Sequence, residues 1–272
     1  MLRNIHNELL DHRFTLSGRP KRIVSLVSSA TEAMDKMGLI NRVVGVSEYC
    51  DRYIHDLQAP VVGEYLNCDT DALKNLQPDL ILTTGGIQLN LARKLAQQGF
   101  PVYALPLPQS FFGTLENNLI LGGLLGELEK ARHLCTDMQR RASALRLSSP
   151  SVRPSIYLEL WLGRHMRAVG GGSFINDLID IAGGDLIYKN HTLGYFKPDF
   201  DAVAQAAPDV YLFFHEPEYL IDPAELVADR KWNPDTPVIL STIECGQNMI
   251  QEGPSMLDTA EWLQNQLLAL PQ

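Results

Sequence analysis

Two segments of this chain repeat one pattern. Residues 71–83 read DALKNLQPDLILT and residues 201–213 read DAVAQAAPDVYLF. Each is an acidic residue, a short helix-forming stretch, Pro-Asp and an apolar run. Proline has no N–H to continue the helix. The apolar run after it reads as a buried strand. A second pair corresponds more loosely: residues 29–38 and 173–183 both begin with serine and end at glycine, with a helical pattern between. Met once, helix–Pro-Asp–strand is ordinary in α/β proteins. Met twice, in the same order on either side of a long helical segment, it predicts an internal duplication and two similar α/β lobes.

The rest of the chain fits that frame. In the first half, apolar runs at 23–27, 43–46, 61–63, 80–82 and 102–105 predict strands. Helical patterns at 29–37, 69–76 and 89–98 lie between them. Ser29 and Glu32 have the spacing of a capping box. From 112 to 147 there is no proline, and Leu121, Leu125, Leu128, Ala131, Leu134, Met138, Ala142 and Leu145 recur at helical spacing. This predicts one long helix of roughly 50 Å at 1.5 Å per residue. Gly122, Gly123 and Gly126 are its weak points, and Ser148-Ser149-Pro150-Ser151 ends it. Strands are then predicted at 156–160, 210–214 and 238–240, and helices at 173–181, 200–206, 224–229 and 255–270. The expected fold is α/β: two Rossmann-like lobes with parallel sheets, 1–111 and 151–272, joined by a long helix within 112–150. A ligand is expected in a cleft between the lobes, at the carboxyl ends of the strands.

Composition excludes several classes. The formal net charge is −9, and no basic run offers phosphate contacts, so nucleic acid is not an expected partner. No stretch approaches the ~18–20 apolar residues of a membrane span. The first twenty residues lack the apolar core and small-residue cleavage site of a signal peptide. Cys50, Cys68, Cys135 and Cys245 have no C-x-x-C spacing, so no zinc ribbon or thioredoxin motif is read. No G-x-S-x-G, H-E-x-x-H or P-loop is present, and no catalytic residue is assigned. Gly170-Gly171-Gly172-Ser173, at a predicted helix start, has the form of an anion-binding turn but lacks the P-loop lysine.

Four blocks carry a resemblance: RIVSLVSSATEAMDKMGLINRVVGVSEYCD (22–51), VGEYLNCDTDALKNLQPDLIL (62–82), GGGSFINDLIDIAGG (170–184) and GPSMLDTAEWL (253–263). In this order they resemble the class III periplasmic substrate-binding proteins, the Fe(III)-siderophore, haem and vitamin B12 group. The resemblance covers nearly everything from Arg22 onward. It departs from the usual pattern at Ser28, where proline is common. It implies a monomeric, non-enzymatic protein with two lobes, a rigid connecting helix and little hinge motion. The implied ligand is a cobalt- or iron-containing chelate, carried as cargo with no intrinsic cofactor. The implied partner is the permease of an ABC importer. The location is periplasmic or cell-envelope if a leader has been removed, and cytoplasmic if Met1 is the native start.

Candidate site residues follow from strand ends. Tyr49 and Cys50 follow the second strand, Tyr65 the third, and Trp161 the first strand of the second lobe. Aromatic faces suit a large flat ligand such as a corrin, and vitamin B12-binding members have cleft aromatics at positions matching Tyr49 and Tyr65. The alternative is that these rings cap the core. His215, beside Glu216, either ligates iron or cobalt or is a hydrogen-bonded loop histidine. Arg164, His165 and Arg167 either pair with an anionic ligand group or are solvated. Cys50, Cys68 and Cys245 fall in predicted cleft-side loops, where converging thiolates suit a soft metal; small buried cysteines are equally ordinary. The resemblance implies that Asp71 and Asp201 meet arginines of the transporter, with Asp in place of a longer Glu. Either also suits a helix start. Two further functions stay open: a cytoplasmic metal or tetrapyrrole chaperone or chelatase-like enzyme, and a molybdate-like oxyanion binder using Arg164 or Arg167.

Overall fold

The structure, a computed structural model, describes residues 1–270; Pro271 and Gln272, the end of the expected C-terminal lobe, lie outside the described residues. The chain divides into two compact units, Met1–Pro108 with Phe112–Met138, and Gln109–Phe111 with Gln139–Gln272.

The first unit opens with an antiparallel hairpin that the sequence did not announce, β1 (Leu2–Asn7) and β2 (His12–Ser17). Its inward face carries Arg3, Ile5, Asn7, His12, Phe14 and Leu16. Polar residues at half of these positions hide the period-2 signal. They are spent on hydrogen bonds: the Asn7 amide donates to the Ala104 carbonyl at 2.9 Å, and His12 Nε2 lies 3.0 Å from the Phe100 carbonyl. Then come β3 (Ile23–Ser25), α1 (Ser28–Lys36), β4 (Val43–Ser47), β5 (Val61–Gly63), α2 (Thr70–Leu76), β6 (Leu80–Thr84), α3 (Leu89–Gln97) and β7 (Val102–Leu105). The strands form a parallel sheet in the order β5-β4-β3-β6-β7. Ile23, Val24, Leu80, Ile81 and Leu82 are fully buried at its centre, as a sheet covered on both faces requires. The expected capping box at Ser29 is not formed. Helix α1 starts one residue earlier, with Val27 at the cap and no side-chain cap bond.

The single helix expected over 112–147 is instead two, α4 (Phe111–Leu125) and α5 (Leu128–Leu147). Gly126 takes φ +69°, a conformation glycine adopts at little cost. The freed carbonyls at the end of α4 find arginine donors. Arg3 donates to the carbonyls of Gly123 (2.6 Å) and Leu124 (2.5 Å), and Arg42 to that of Leu125 (3.0 Å). Cations there also complement the negative end of the helix dipole. Both arginines are far away in sequence, so the apolar periodicity ran straight through the break.

The second unit contains β8 (Ser155–Leu162), β9 (His165–Val169), α6 (Phe174–Ala182), β10 (Asp185–Leu186), β11 (Tyr195–Phe196), α7 (Phe200–Ala206), β12 (Val210–His215), α8 (Pro223–Asp229), β13 (Val238–Ser241) and α9 (Met256–Leu268). Among the described residues its sheet runs β11-β9-β8-β12-β13, with β10 beside the start of β8. Here the expectation of a parallel sheet needs correction. β8, β10, β12 and β13 pair in parallel, but β9 folds back on β8 antiparallel and β11 pairs antiparallel with β9. Gly163 at φ +57° sits in the turn that makes this reversal.

The duplicated sequence proves to be a duplicated device. Asp69 and Asp199 cap α2 and α7, each accepting from the two N–H groups two and three residues on. Both helices end in a left-handed residue, Gln77 (φ 46°) and Ala207 (φ 43°). The Pro-Asp that follows stitches the sheet. Asp79 accepts from the Lys21 and Arg22 N–H groups just before β3, and Asp209 from the Ser155 N–H at the start of β8. Strands β6 and β12 then pair in parallel with β3 and β8.

Candidate functional site

In each unit the sequence-predicted aromatics stand at the carboxyl ends of parallel strands. In the first unit Tyr49 follows β4 and Tyr65 follows β5. Their rings meet edge to face, centroids 6.2 Å apart at 76°, an arrangement favoured by the ring quadrupoles. Tyr65 is exposed, and the Arg52 guanidinium lies 4.5 Å over the Tyr49 ring. The loop carrying Tyr65 is held by Gln88, which is fully buried. Its amide N–H₂ donates to the carbonyls of Leu26 (2.8 Å) and Tyr65 (2.9 Å), and its oxygen accepts from the Thr84 N–H (2.9 Å). One side chain thus ties together the loops after β3, β5 and β6. Exposed Ile87 and Leu107 follow β6 and β7 at the same edge. None of Gln88, Ile87 or Leu107 was singled out from sequence, since a lone glutamine or leucine in a loop carries no signal.

Cys50 is not a ligand contact. It is fully buried in the core, where its sulfur accepts from Thr31 Oγ1 at 3.1 Å and lies 3.3 Å from Ser47 Oγ. Burial pushes its thiol pKa up, opposite to what a metal-binding thiolate needs. Cys68 is half-buried beside Gly63, its thiol also raised chiefly by burial, and Cys245 is exposed. Among the described residues no group of three or more His, Cys, Asp or Glu is placed to hold a metal ion.

In the second unit Tyr157, Glu159 and Trp161 alternate along one face of β8. Their partners on β12 are Tyr211, Phe213 and His215. Trp161, near the carboxyl end, stacks on Tyr219 with centroids 5.6 Å apart at 14°. Tyr219 was not anticipated from sequence; it lies in the loop after β12. His215 pairs in register with Trp161 and is only 9% exposed. Its Nδ1 lies 3.0 Å from the Glu216 carbonyl, and the Glu216 carboxylate accepts from the Gly163 N–H at 2.8 Å. Arg164, His165 and Arg167 are exposed on and beside the β8–β9 turn.

The glycine-rich stretch is not an open anion turn. The Gly170 N–H donates to the Gly194 carbonyl (2.9 Å) and the Gly171 N–H to the His191 carbonyl (3.0 Å). A Cβ at Gly170, Gly171 or Gly172 would stand 2.2, 2.0 or 2.6 Å from backbone oxygens of the 189–194 loop. These glycines exist so that two backbone segments can touch. Asp71 and Asp201 are exposed, each in the first turn of its helix. Lys74, 2.8 Å away, holds the Asp71 carboxyl below its ordinary value. Two surface hollows of about 410 and 440 Å³ lie at the amino ends of strands, beside Pro208 and Pro237 in one unit and Val43 and Pro60 in the other. None of the candidate residues lines them.

A family profile described as "Periplasmic binding protein" matches residues 23–234. A cobalamin-binding protein of Halobacterium salinarum is 29% identical over 203 residues, 72% of this chain and 54% of that protein. The chain thus matches about half the length of that relative. A vitamin B12-binding protein of Vibrio parahaemolyticus is 25% identical over 202 residues, 72% of each. Among solved structures, a periplasmic haem-binding protein of Vibrio cholerae superposes with a TM-score of 0.76 at 18% identity, covering 92% of this chain and 99% of that one. At that identity the likeness speaks for the fold alone.

Proposed function

This chain is a member of the periplasmic binding protein family, and we propose that it captures a corrinoid as cargo for an ABC importer. The observation that carries this reading is the placing of aromatic pairs, Tyr49 with Tyr65 and Trp161 with Tyr219, at strand carboxyl ends. Large ring faces bind large flat ligands by area and dispersion, and the exposed Ile87 and Leu107 extend that apolar surface. The names of the Halobacterium and Vibrio relatives support a corrinoid over the other chelates. In this reading the protein performs no chemistry. Tyr49, Tyr65 and Trp161 are the ring contacts in this reading, Arg164 on its exposed turn would donate to amide carbonyls or a phosphodiester of the ligand, and His215, in register with Trp161, would be a nitrogen donor to the metal. Asp71 and Asp201, at matching places in the two repeats, are docking carboxylates for the permease. The place of action is outside the cytoplasm. A compact oxyanion is a weaker fit, because the N–H groups of Gly170 and Gly171 are already spent.

The test is equilibrium binding of hydroxocobalamin, cobinamide, haemin and a ferric siderophore, followed by visible spectra and by melting temperature. A ligand at 100 times its Kd adds about 2.7 kcal/mol of stability. Binding of cobalamin or cobinamide, weakened about tenfold or more by Tyr65→Ala or Trp161→Ala, is the expected result. Binding of haemin or the siderophore instead would replace the corrinoid, and no binding of any of the four would overturn the reading.

A further inference from the structure

Beneath Trp161 lies a buried charged assembly that the proposed ligand contacts do not use. Glu159 has no exposed surface, and the Arg230 side chain is 7% exposed. Glu159 Oε2 accepts from Arg230 Nη1 at 2.9 Å and from the Tyr157 hydroxyl at 2.5 Å. Its Oε1 accepts from Arg230 Nη2 at 2.9 Å and from the Trp161 indole N–H at 2.8 Å. Each carboxylate oxygen thus accepts two donors, which fills its lone-pair capacity. The arginine is braced in turn, its guanidinium 4.1 Å over the Phe200 ring and 4.8 Å over Trp232. Burial, followed by the charge of Glu159, pushes the Tyr157 hydroxyl pKa well above its usual range, so it stays a donor.

Such a pair is an expensive way to fill a core. Desolvating two ions costs about as much as their attraction returns, and apolar residues of similar volume often serve as well. What an apolar core would not supply is an acceptor aimed at an indole N–H. Of the donors on Glu159, Tyr157 and Arg230 are buried, while Trp161 is partly exposed at the strand end. With Tyr219 stacked on the ring and Glu159 holding its N–H, the indole is fixed in plane and in rotation.

We infer that Glu159 and Arg230 are positioning residues that preorganise Trp161 as a rigid platform for a flat ligand. The inference rests on the reading of Trp161 as a ligand contact. Ordering a free side chain on binding weakens affinity by roughly two- to tenfold, and that is the advantage the assembly supplies.

The double variant Glu159→Met/Arg230→Met tests it, because replacing both ions together leaves no buried charge unpaired. Two readouts are taken on the whole chain. The first is hydrogen exchange of the Trp161 indole N–H by NMR, its signal assigned by its loss in Trp161→Phe. The second is the affinity for hydroxocobalamin and haemin. The expected result is a folded protein whose melting temperature falls by several degrees, because the buried Tyr157 hydroxyl loses its acceptor, with an indole N–H that exchanges at least tenfold faster and two- to tenfold weaker binding. Unchanged exchange would overturn the positioning role whether or not any ligand binds. Faster exchange with unchanged affinity would overturn the preorganisation of a platform. If the parent binds neither compound, the ligand reading fails and the exchange readout alone decides whether Glu159 and Arg230 fix the ring. Should the double variant not fold, Trp161→Phe supplies the same comparison. It keeps a ring face but removes the N–H, and affinity equal to the parent's would refute the inference.

Discussion

Gly171→Ala separates a structural from a ligand-binding role for the glycine-rich stretch. The added Cβ would stand 2.0 Å from the Lys189 carbonyl oxygen and 3.0 Å from its carbon. Both are backbone atoms, so the 189–194 segment must move as a unit. That movement strains the Gly171 N–H to His191 and Gly170 N–H to Gly194 bonds, together worth roughly 1–3 kcal/mol, and overpacking adds about 1–3 kcal/mol. At a total of about 2–6 kcal/mol and roughly 2–4 °C per kcal/mol for a chain of this size, the melting midpoint should fall by roughly 4–24 °C. Gly163→Ala is the control. Gly163 has φ +57° but nothing within 4 Å of a Cβ, so it should lose only about 1 kcal/mol for the left-handed backbone. Melting followed by circular dichroism, with and without sulfate and molybdate, reads both variants. A Gly171→Ala protein as stable as Gly163→Ala would refute the packing argument. A parent stabilised by either anion, with the effect abolished in a stable Gly171→Ala, would restore the anion turn.

Gly126→Ala should cost more than Gly99→Ala in the same melt. Both glycines have positive φ, but a Cβ at Gly126 would lie 2.1 Å from the Gly18 carbonyl while Gly99 has open space; equal losses would show that the hairpin exit yields freely. In thiol labelling at neutral pH, exposed Cys245 should react first. Cys135, whose pKa is raised to about 11 by burial, and Cys50 should react only on unfolding, and early labelling of Cys50 would contradict its placement. Lys189, then Arg153, hold Asp185 below the ordinary carboxylate value despite some opposing desolvation. A depressed folded pKa contributes stability that is full above an unfolded value near ~4 and is lost as pH falls through the folded one. Asp185→Asn should therefore melt lower than the parent at neutral pH, with the gap closing in acid; a gap constant from pH 7 to 2 would show that the ion pairs contribute nothing.

The strands and helices of both units were largely legible because each is coupled to a local pattern. Apolar runs such as 80–82 and 210–214 and the glycine stops at Gly38 and Gly183 depend on residues within a few positions. The strand-end positions of Tyr49, Tyr65 and Trp161 were legible for the same reason, since each adjoins or ends a recognisable strand. The N-terminal hairpin was not, because its inward face is filled by Arg3, Asn7 and His12, whose partners lie far along the chain. Cys50 was misplaced because a residue after a strand can turn into the core as easily as toward solvent. Gln88 and Tyr219 left no trace for a reader of loops.

By itself the sequence determined the duplication and, with it, the Asp-capped helix, the Pro-Asp turn and the strand in each unit, because caps, prolines and apolar runs act over a few residues. Tertiary structure decided where the long apolar helix breaks, which direction β9 runs, what the glycines at 170–172 approach, and that Glu159 carries an arginine 71 positions away together with the indole of Trp161. Each of these depends on a donor, an acceptor or a close backbone approach supplied from a distant part of the chain, and such partners meet only once the chain has folded.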